Sequence, residues 1–300
     1  MAASPVGFYY NRDSAIDSPD DEKAFYWLKL AAEQGHCEAQ YSLGQKYTED
    51  KSRHKDNEQA IFWLKKAALQ GHTFASNALG WTLDRGEAPN YKEAVVWYQI
   101  AAESGMSYAQ NNLGWMYRNG NGVAKDYALA FFWYKQAALQ GHSDAQNNLA
   151  DLYEDGKGVA QNKTLAAFWY LKSAQQGNRH AQFQIAWDYN AGEGVDQDYK
   201  QAMYWYLKAA AQGSVGAYVN IGYMYKHGQG VEKDYQAAFE WFTKAAECND
   251  ATAWYNLAIM YHYGEGRPVD LRQALDLYRK VQSSGTRDVS QEIRETEDLL

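Results

Sequence analysis

The sequence predicts an all-α fold, a right-handed α/α solenoid of stacked helical hairpins with a 36-residue repeat. Three observations carry this. The alanine that opens the phrase Ala130-Phe131-Phe132-Trp133-Tyr134-Lys135-Gln136-Ala137-Ala138 recurs at Ala24, Ala60, Ala94, Ala166, Ala202, Ala238 and Ala274, in steps of 36 residues apart from one of 34. Apolar residues within each period fall on two stripes of helical spacing. The 24 glycines sit at fixed points of the period, and the chain of 300 residues holds only 4 prolines. A fixed period of this length is the mark of one supersecondary unit stacked on its own copies. Scarce proline suits helix, because an interior Pro costs about 3 kcal/mol.

In chain order, residues 1–23 read as a polar N-terminal segment holding a degenerate half-repeat, Phe8-Tyr9-Tyr10, and the polar stretch Asp13 to Asp21. The solenoid occupies 24–285. Its first segment is represented by Ala130, Trp133, Tyr134, Ala137 and Ala138, at i, i+3, i+4, i+7 and i+8, which is the stripe of an amphipathic helix. Gly141 stops it, as glycine just past a last turn commonly does. The second segment places Ala145, Leu149, Leu152 and Tyr153 on one face and ends at Gly156-Lys157-Gly158-Val159. Helices of about 11–13 residues are ~17–20 Å long, and linkers this short make neighbours antiparallel. The first repeat replaces the Gly-x-Gly-Val loop with the charged run Asp50 to Asp56, and the second shortens it to Gly86–Asn90. Residues 286–300 form a C-terminal capping helix. Ile293 continues its aliphatic column, while Arg294 and Glu297 supply the polar outer face a terminal unit needs.

The columns of the repeat describe the stacking. The first segment carries Trp27, Trp63, Trp97, Trp133, Trp169, Trp205 and Trp241; the second carries Leu43, Leu79, Leu113, Leu149, Ile185, Ile221 and Leu257. Beside the aliphatic residue stands a small one: Gly44, Gly80, Gly114, Ala150, Ala186, Gly222 and Ala258. A small residue next to a large one lets helices approach while the large side chain fills the gap. These columns are expected to be core.

The phrases Ala109-Gln110-Asn111-Asn112-Leu113-Gly114-Trp115-Met116-Tyr117, Gly120-Asn121-Gly122-Val123 and Trp133-Tyr134-Lys135-Gln136-Ala137-Ala138-Leu139-Gln140-Gly141 resemble the Sel-one-like repeat (SLR) family, a relative of tetratricopeptide repeats. The resemblance spans roughly residues 24 to 285. In the family's register it implies seven full repeats, starting near Ala39, Ala75, Ala109, Ala145, Ala181, Ala217 and Ala253, behind a leading Trp27 helix. It also implies that the Leu-Gly-x-x-Tyr helices line the concave face. Extracellular relatives often carry a disulfide within each repeat, and this chain has no such pairs.

Composition excludes several classes. A net charge of −8 disfavours duplex nucleic acid and acidic lipid surfaces, both of which need a basic face. Cys37 and Cys248 lie almost six repeats apart, too far for a disulfide, so both are expected to be free thiols in a reducing compartment. The N-terminus reads as no signal peptide, and no run approaches the ~20 apolar residues of a membrane span. A cytoplasmic location is the expectation. Nucleotide-binding loops, nucleophile elbows, His-Glu-x-x-His and Cys-x-x-Cys motifs do not occur, so neither catalysis nor a cofactor is expected. His36, His72 and His142 follow the inter-helix glycine. Spaced one repeat apart, at ~10 Å, they are too distant to share a metal bound at ~2.1 Å, and they read as turn caps.

Function is therefore sought where the columns vary. Two residues before the Leu stand Tyr41, Asn77, Asn111, Asn147, Phe183, Val219 and Tyr255; two after it stand Gln45, Trp81, Trp115, Asp151, Trp187, Tyr223 and Ile259. These positions are four apart on one helix face, pointing away from the Leu stripe. Asn77, Trp81, Asn111, Trp115, Asn147, Asp151, Trp187 and Tyr223 are the candidate partner-binding residues. Amides offer donor and acceptor to a peptide backbone, and aromatic rings are typical hot-spot residues. The alternative is that Trp81, Trp115 and Trp187 brace the next repeat. Asp144, Asp151, Glu154 and Asp155 make the centre acidic, favouring basic ligand residues. Lys66, Lys172, Lys208, Lys244 and Lys280 are expected on the outer face. The leading expectation is a non-enzymatic scaffold that binds a protein or peptide segment on the concave face. Weak hydrolysis of β-lactams, suggested by some members of the resembling family, and a purely structural assembly module are the rivals.

Overall fold

The computed structural model describes residues 19–49, 54–86 and 88–300. The Phe8-Tyr9-Tyr10 half-repeat and most of the charged run from Asp50 lie outside the described residues. Sixteen helices and no strand occur among the described residues, and none of these helices is long and apolar enough to cross a membrane. The chain divides into two compact units, 1–140 and 141–300. Unit 1 holds α1 (Pro19–Glu33), α2 (Cys37–Thr48), α3 (Asn57–Leu69), α4 (Thr73–Arg85), α5 (Tyr91–Glu103), α6 (Ser107–Asn119) and α7 (Tyr127–Leu139). Unit 2 holds α8 (Ser143–Asp155), α9 (Lys163–Gln175), α10 (Arg179–Ala191), α11 (Tyr199–Ala211), α12 (Val215–His227) and α13 (Tyr235–Glu247). It closes with α14 (Ala251–Tyr263), α15 (Leu271–Ser284) and α16 (Ser290–Asp298). Within each unit consecutive helices pack as hairpins, as the period predicts.

Local chemistry sets the helix ends. From α3 onward the Trp helices open on Asp or Asn: Asp126 Oδ1 accepts from the Ala128 and Leu129 N–H groups at 2.8 and 2.9 Å, and Asp198 caps α11 likewise. The turn after each Trp helix needs left-handed backbone. Glycine supplies it everywhere but at Asn249 (φ 60°), the one non-glycine of positive φ among the described residues. In the Gly-x-Gly loops the second glycine touches backbone. A Cβ on Gly122 would meet the Tyr91 carbonyl at 2.4 Å. The loop is a packing turn.

Two of the three histidines cap as expected. His72 Nδ1 accepts from the Ala75 N–H at 3.1 Å and His142 Nδ1 from the Ala145 N–H at 3.3 Å. His36 makes no side-chain cap bond to α2, which corrects that assignment. Asn178 takes over the same job on α10, accepting from the Ala181 N–H at 3.0 Å. Burial holds the His142 imidazole below its ordinary value of 6.5, against a smaller upward pull from Asp144. A depressed histidine stabilises the fold as the neutral ring. Its contribution is complete above 6.5 and is lost as pH falls from there through the lowered value. His142→Ala should cost about 1 kcal/mol at pH 8, while His142→Asn should keep the cap and flatten the acid-side loss. Urea unfolding across pH 5 to 8 checks this; an asparagine variant with the wild-type acid slope would refute it.

The core lies where the small column meets the next hairpin. Leu79 and Leu113 in unit 1, and Leu149, Ile185 and Ile221 in unit 2, are fully buried. A Cβ on Gly80 would sit 2.8 Å from the Tyr98 ring, and one on Gly222 would sit 2.8 Å from Phe242. Tyr98, Tyr134, Tyr170, Tyr206, Phe242 and Tyr278, one residue after the Trp column, are the largest fully buried side chains. The tryptophans are graded instead. Trp63, Trp97 and Trp205 are buried, Trp133, Trp169 and Trp241 partly so, and Trp27 is exposed. Trp27 departs from the expected core because α1 opens the described stack and no described hairpin covers its outer side. Glutamines staple the turns: Gln110 Nε2 donates to the Ala102 carbonyl at 3.1 Å, and Gln140 Nε2 to Gln110 Oε1 at 2.8 Å. In unit 2, Gln182 and Gln212 repeat the pair.

At the C-terminal end α15 stops at Gly285, and α16 begins only at Ser290. Val289 and Thr296 are fully buried, Ile293 packs on the cluster around Tyr278, and Arg294 and Glu297 are exposed. The lysines of the Trp helices are exposed, and several lie over a ring one turn back, as Lys172 does over Phe168 at 5.6 Å. Cys37 and Cys248 are free thiols.

Candidate functional site

On each Leu helix the positions five before, two after and six after the Leu lie within about 40° of one another and away from the buried side. In unit 1 this stripe reads Phe74, Trp81 and Arg85 on α4, and Tyr108, Trp115 and Asn119 on α6. The stripe of α2 is polar, with Glu38, Gln45 and Glu49. In unit 2 it is Asp144, Asp151 and Asp155 on α8, His180 and Trp187 on α10, and Tyr223 and His227 on α12.

Stacking does not bury these rings. Trp81, Trp115, Trp187 and Tyr223 are 44, 42, 38 and 47 % exposed, whereas Trp63, Trp97 and Trp205 of the Trp column are 5, 7 and 8 % exposed. Phe74 and Tyr108, at 55 and 53 %, are more open still. Sequence reasoning missed both, although each sits seven residues before an off-column tryptophan.

The amides behave differently from one another. Asn77 and Asn111 are half-buried, and Asn112 Nδ2 donates to Asn77 Oδ1 at 3.2 Å, joining the faces of α4 and α6. Asn147 is buried within unit 2, so its amide is withdrawn from the surface that its sequence position suggests. Asp151 Oδ1 accepts from the Tyr170 hydroxyl at 2.9 Å, and Asp84 Oδ2 accepts from Tyr98 at 2.8 Å. Arg85 lies over the Trp81 ring at 5.2 Å, and Tyr223 packs against His227 at 4.1 Å.

Unit 2 also buries a carboxylate that the column reading passed over. Asp188, three after Ile185, is 3 % exposed, and neither its Oδ2 nor the buried Tyr206 hydroxyl finds a hydrogen-bond partner among the described residues. Of its equivalents, Met116, Leu152, Met224 and Met260 are buried and apolar, Thr82 is buried and polar, and Lys46 is partly buried. Burial first, and the Glu154 carboxylate second, push the Asp188 acid up to about 7 against the pull of Lys163. Lys163 itself bridges Glu154, at 3.4 Å, and Glu193.

No group of three His, Cys, Asp or Glu side chains among the described residues could hold a metal ion. The stripes offer open aromatic faces, amide donors and acceptors, and separate acidic and basic positions.

A profile of the Sel1 repeat matches eight consecutive segments: 6–36, 37–72, 73–106, 107–142, 143–178, 179–214, 215–250 and 251–280. Among solved structures, a protective antigen of uropathogenic Escherichia coli strains displaying an SLR fold is 36 % identical over 87 % of this chain, with a TM-score of 0.81. The match covers 56 % of that antigen's length. A Sel1 repeat protein from Oxalobacter formigenes is 33 % identical over 71 % of this chain and 86 % of its own, with a TM-score of 0.66.

Proposed function

The chain belongs to the Sel1 repeat family, and from that premise we propose that it is a non-enzymatic interaction scaffold whose Leu helices hold an extended partner segment on their concave side. Repeat folds of this kind commonly serve as protein-interaction scaffolds. Stacked repeats present long surfaces whose variable positions are free to specialise. The observation that carries the reading is the exposure of Trp81, Trp115, Trp187 and Tyr223 at equivalent positions of their helices, where the core has no use for them. Aromatic side chains in such positions dominate binding energy when a partner covers them. Asn77 and Asn111 lie beside the unit 1 rings and can pair with a partner's backbone.

The double variant Trp115→Ala with Trp187→Ala tests this, one residue in each unit. Partner capture should fall at least ~10-fold, while helical circular dichroism and the unfolding midpoint stay near wild type, since both rings are partly open. Unchanged capture by the folded double variant would remove these faces from the binding site.

A further inference from the structure

We propose that the α4 and α6 stripes of unit 1 bind a proline-rich segment in polyproline II conformation, with its uncharged stretch across Phe74, Trp81, Tyr108 and Trp115 and an acidic residue at the Arg85 end. The proposal rests on the scaffold reading above and names the partner's chemistry.

Paired open aromatics are peculiar to these two helices. The same two positions hold Glu38 and Gln45 on α2, Asp144 and Asp151 on α8, His180 and Trp187 on α10, Gly216 and Tyr223 on α12, and Thr252 and Ile259 on α14. Four rings, 42 to 55 % exposed, thus stand on two helix faces that the Asn112–Asn77 hydrogen bond joins. Along each helix the seven-residue step separates the rings by about 10.5 Å. A polyproline II chain repeats every three residues, ~9.3 Å, so prolines on one edge meet the two rings of a helix in turn.

Hydrogen-bonding capacity separates this occupant from a helical one. A polyproline II segment forms no internal hydrogen bonds, so its carbonyls need donors, and its prolines offer no N–H in return. The Trp81 and Trp115 indole N–H groups meet no acceptor among the described residues, and Asn77 keeps its own Nδ2 donor while its Oδ1 accepts from Asn112. A helical ligand would satisfy its carbonyls internally and leave these donors covered and unpaired. Charge is complementary too. The four rings and the Asn77, Asn111 and Asn112 amides carry no formal charge, so they suit an uncharged stretch. Arg85, exposed and stacked on Trp81, stands at the C-terminal end of the α4 stripe; its Nε lies 3.6 Å from Asp84 Oδ1, whose other oxygen accepts from the Tyr98 hydroxyl, and its two-thirds exposed side chain can still reach a ligand carboxylate.

The test titrates the full chain with three fluorescein-labelled peptides of equal length, each ending in two glutamates. One is built of Pro-Pro-Leu triplets, one is an amphipathic Ala/Leu/Lys helix former, and one is Gly/Ser-rich. The proline peptide should bind at least ~10-fold more tightly than the other two, and Trp81→Ala with Trp115→Ala should remove that margin. Phe74→Ala with Tyr108→Ala, both open rings, should weaken it without altering circular dichroism. Arg85→Glu should move the preference to a proline peptide ending in two lysines. Helical or Gly/Ser binding that depends on the two tryptophans, without proline binding, would overturn the proline assignment and leave the scaffold reading standing. Proline binding indifferent to all four rings would overturn this site. No proline binding at millimolar protein would do the same, and the partner-capture test then decides the scaffold reading separately.

Discussion

Asp188→Met is expected to raise the stability of unit 2 at pH 8 by on the order of 2–4 kcal/mol, and to change it by less than about 1 kcal/mol at pH 4. The first reason is the repeat's own precedent. Met116, Met224 and Met260 occupy the equivalent position, each essentially without solvent contact, so the methionine shape fits the site. The second is that the native carboxylate is poorly served there: its Oδ2 has no hydrogen-bond partner among the described residues, and Glu154 adds a like charge. A buried ion without a good partner is a net cost, and replacing it with well-packed apolar volume usually gains stability.

The pH dependence follows from the direction of the shift. The Asp188 acid titrates near 7 in the folded chain and at 3.8 when unperturbed. Below 3.8 both folded and unfolded chains carry the neutral acid and no penalty arises. As pH rises from 3.8 through 7 the unfolded chain ionises first, and folding loses stability until the folded acid ionises as well. His142 has the opposite slope, losing stability as pH falls below 6.5. Removing Asp188 should therefore move the pH of maximum stability upward. Thermal unfolding of wild type and variant at pH 4, 6 and 8 measures this. A variant destabilised by more than ~1 kcal/mol at pH 8 would mean that the carboxylate has a favourable role.

The hairpin stack was legible because every structural column repeats: an alanine, leucine or glycine recurring every 36 residues can be assigned from its period alone. The turns were legible because positive φ restricts the choice to glycine, and Asn249 is the kind of substitute that rule allows. The centre of the core was not. Trp and Tyr sit side by side with the same period, and which ring is swallowed depends on the small residue of the preceding helix, a contact between segments. The site was half legible. Trp81, Trp115 and Trp187 stood out because they break a column, while Phe74 and Tyr108 sit in a position that varies so freely that an aromatic there raised no signal. Asn147 shares its residue type and register with Asn77 and Asn111 yet is buried, because neighbouring side chains set its exposure. Asp188 did carry a signal, as a carboxylate in a column holding Thr82, Met116, Leu152, Met224 and Met260.

Gly114→Leu should destabilise unit 1 by about 3 kcal/mol or more, while Gly114→Ala should be close to neutral. A Cβ on Gly114 falls 2.7 Å from Tyr134 Cδ1 and 2.8 Å from Cε1, and Tyr134 is fully buried with no room to retreat into solvent. A single methyl is survivable, because Ala150 and Ala186 stand at the equivalent positions in unit 2 and the rings of Tyr170 and Tyr206 remain buried. The helix preference for alanine over glycine, about 1 kcal/mol, offsets the small shift of the ring. Leucine adds three more carbons to a filled space and must drive α6 from α7. Each hairpin is held mainly by its neighbours, so a wedge at one interface should split the urea transition and expose α7 to hydrogen exchange before α4. Adding Tyr134→Ala to Gly114→Leu vacates the ring's volume and should recover at least half of the loss, making the two changes strongly non-additive. A double variant as unstable as the sum of the two single ones would show that the glycine acts through its own backbone and not by making room for the next hairpin's ring.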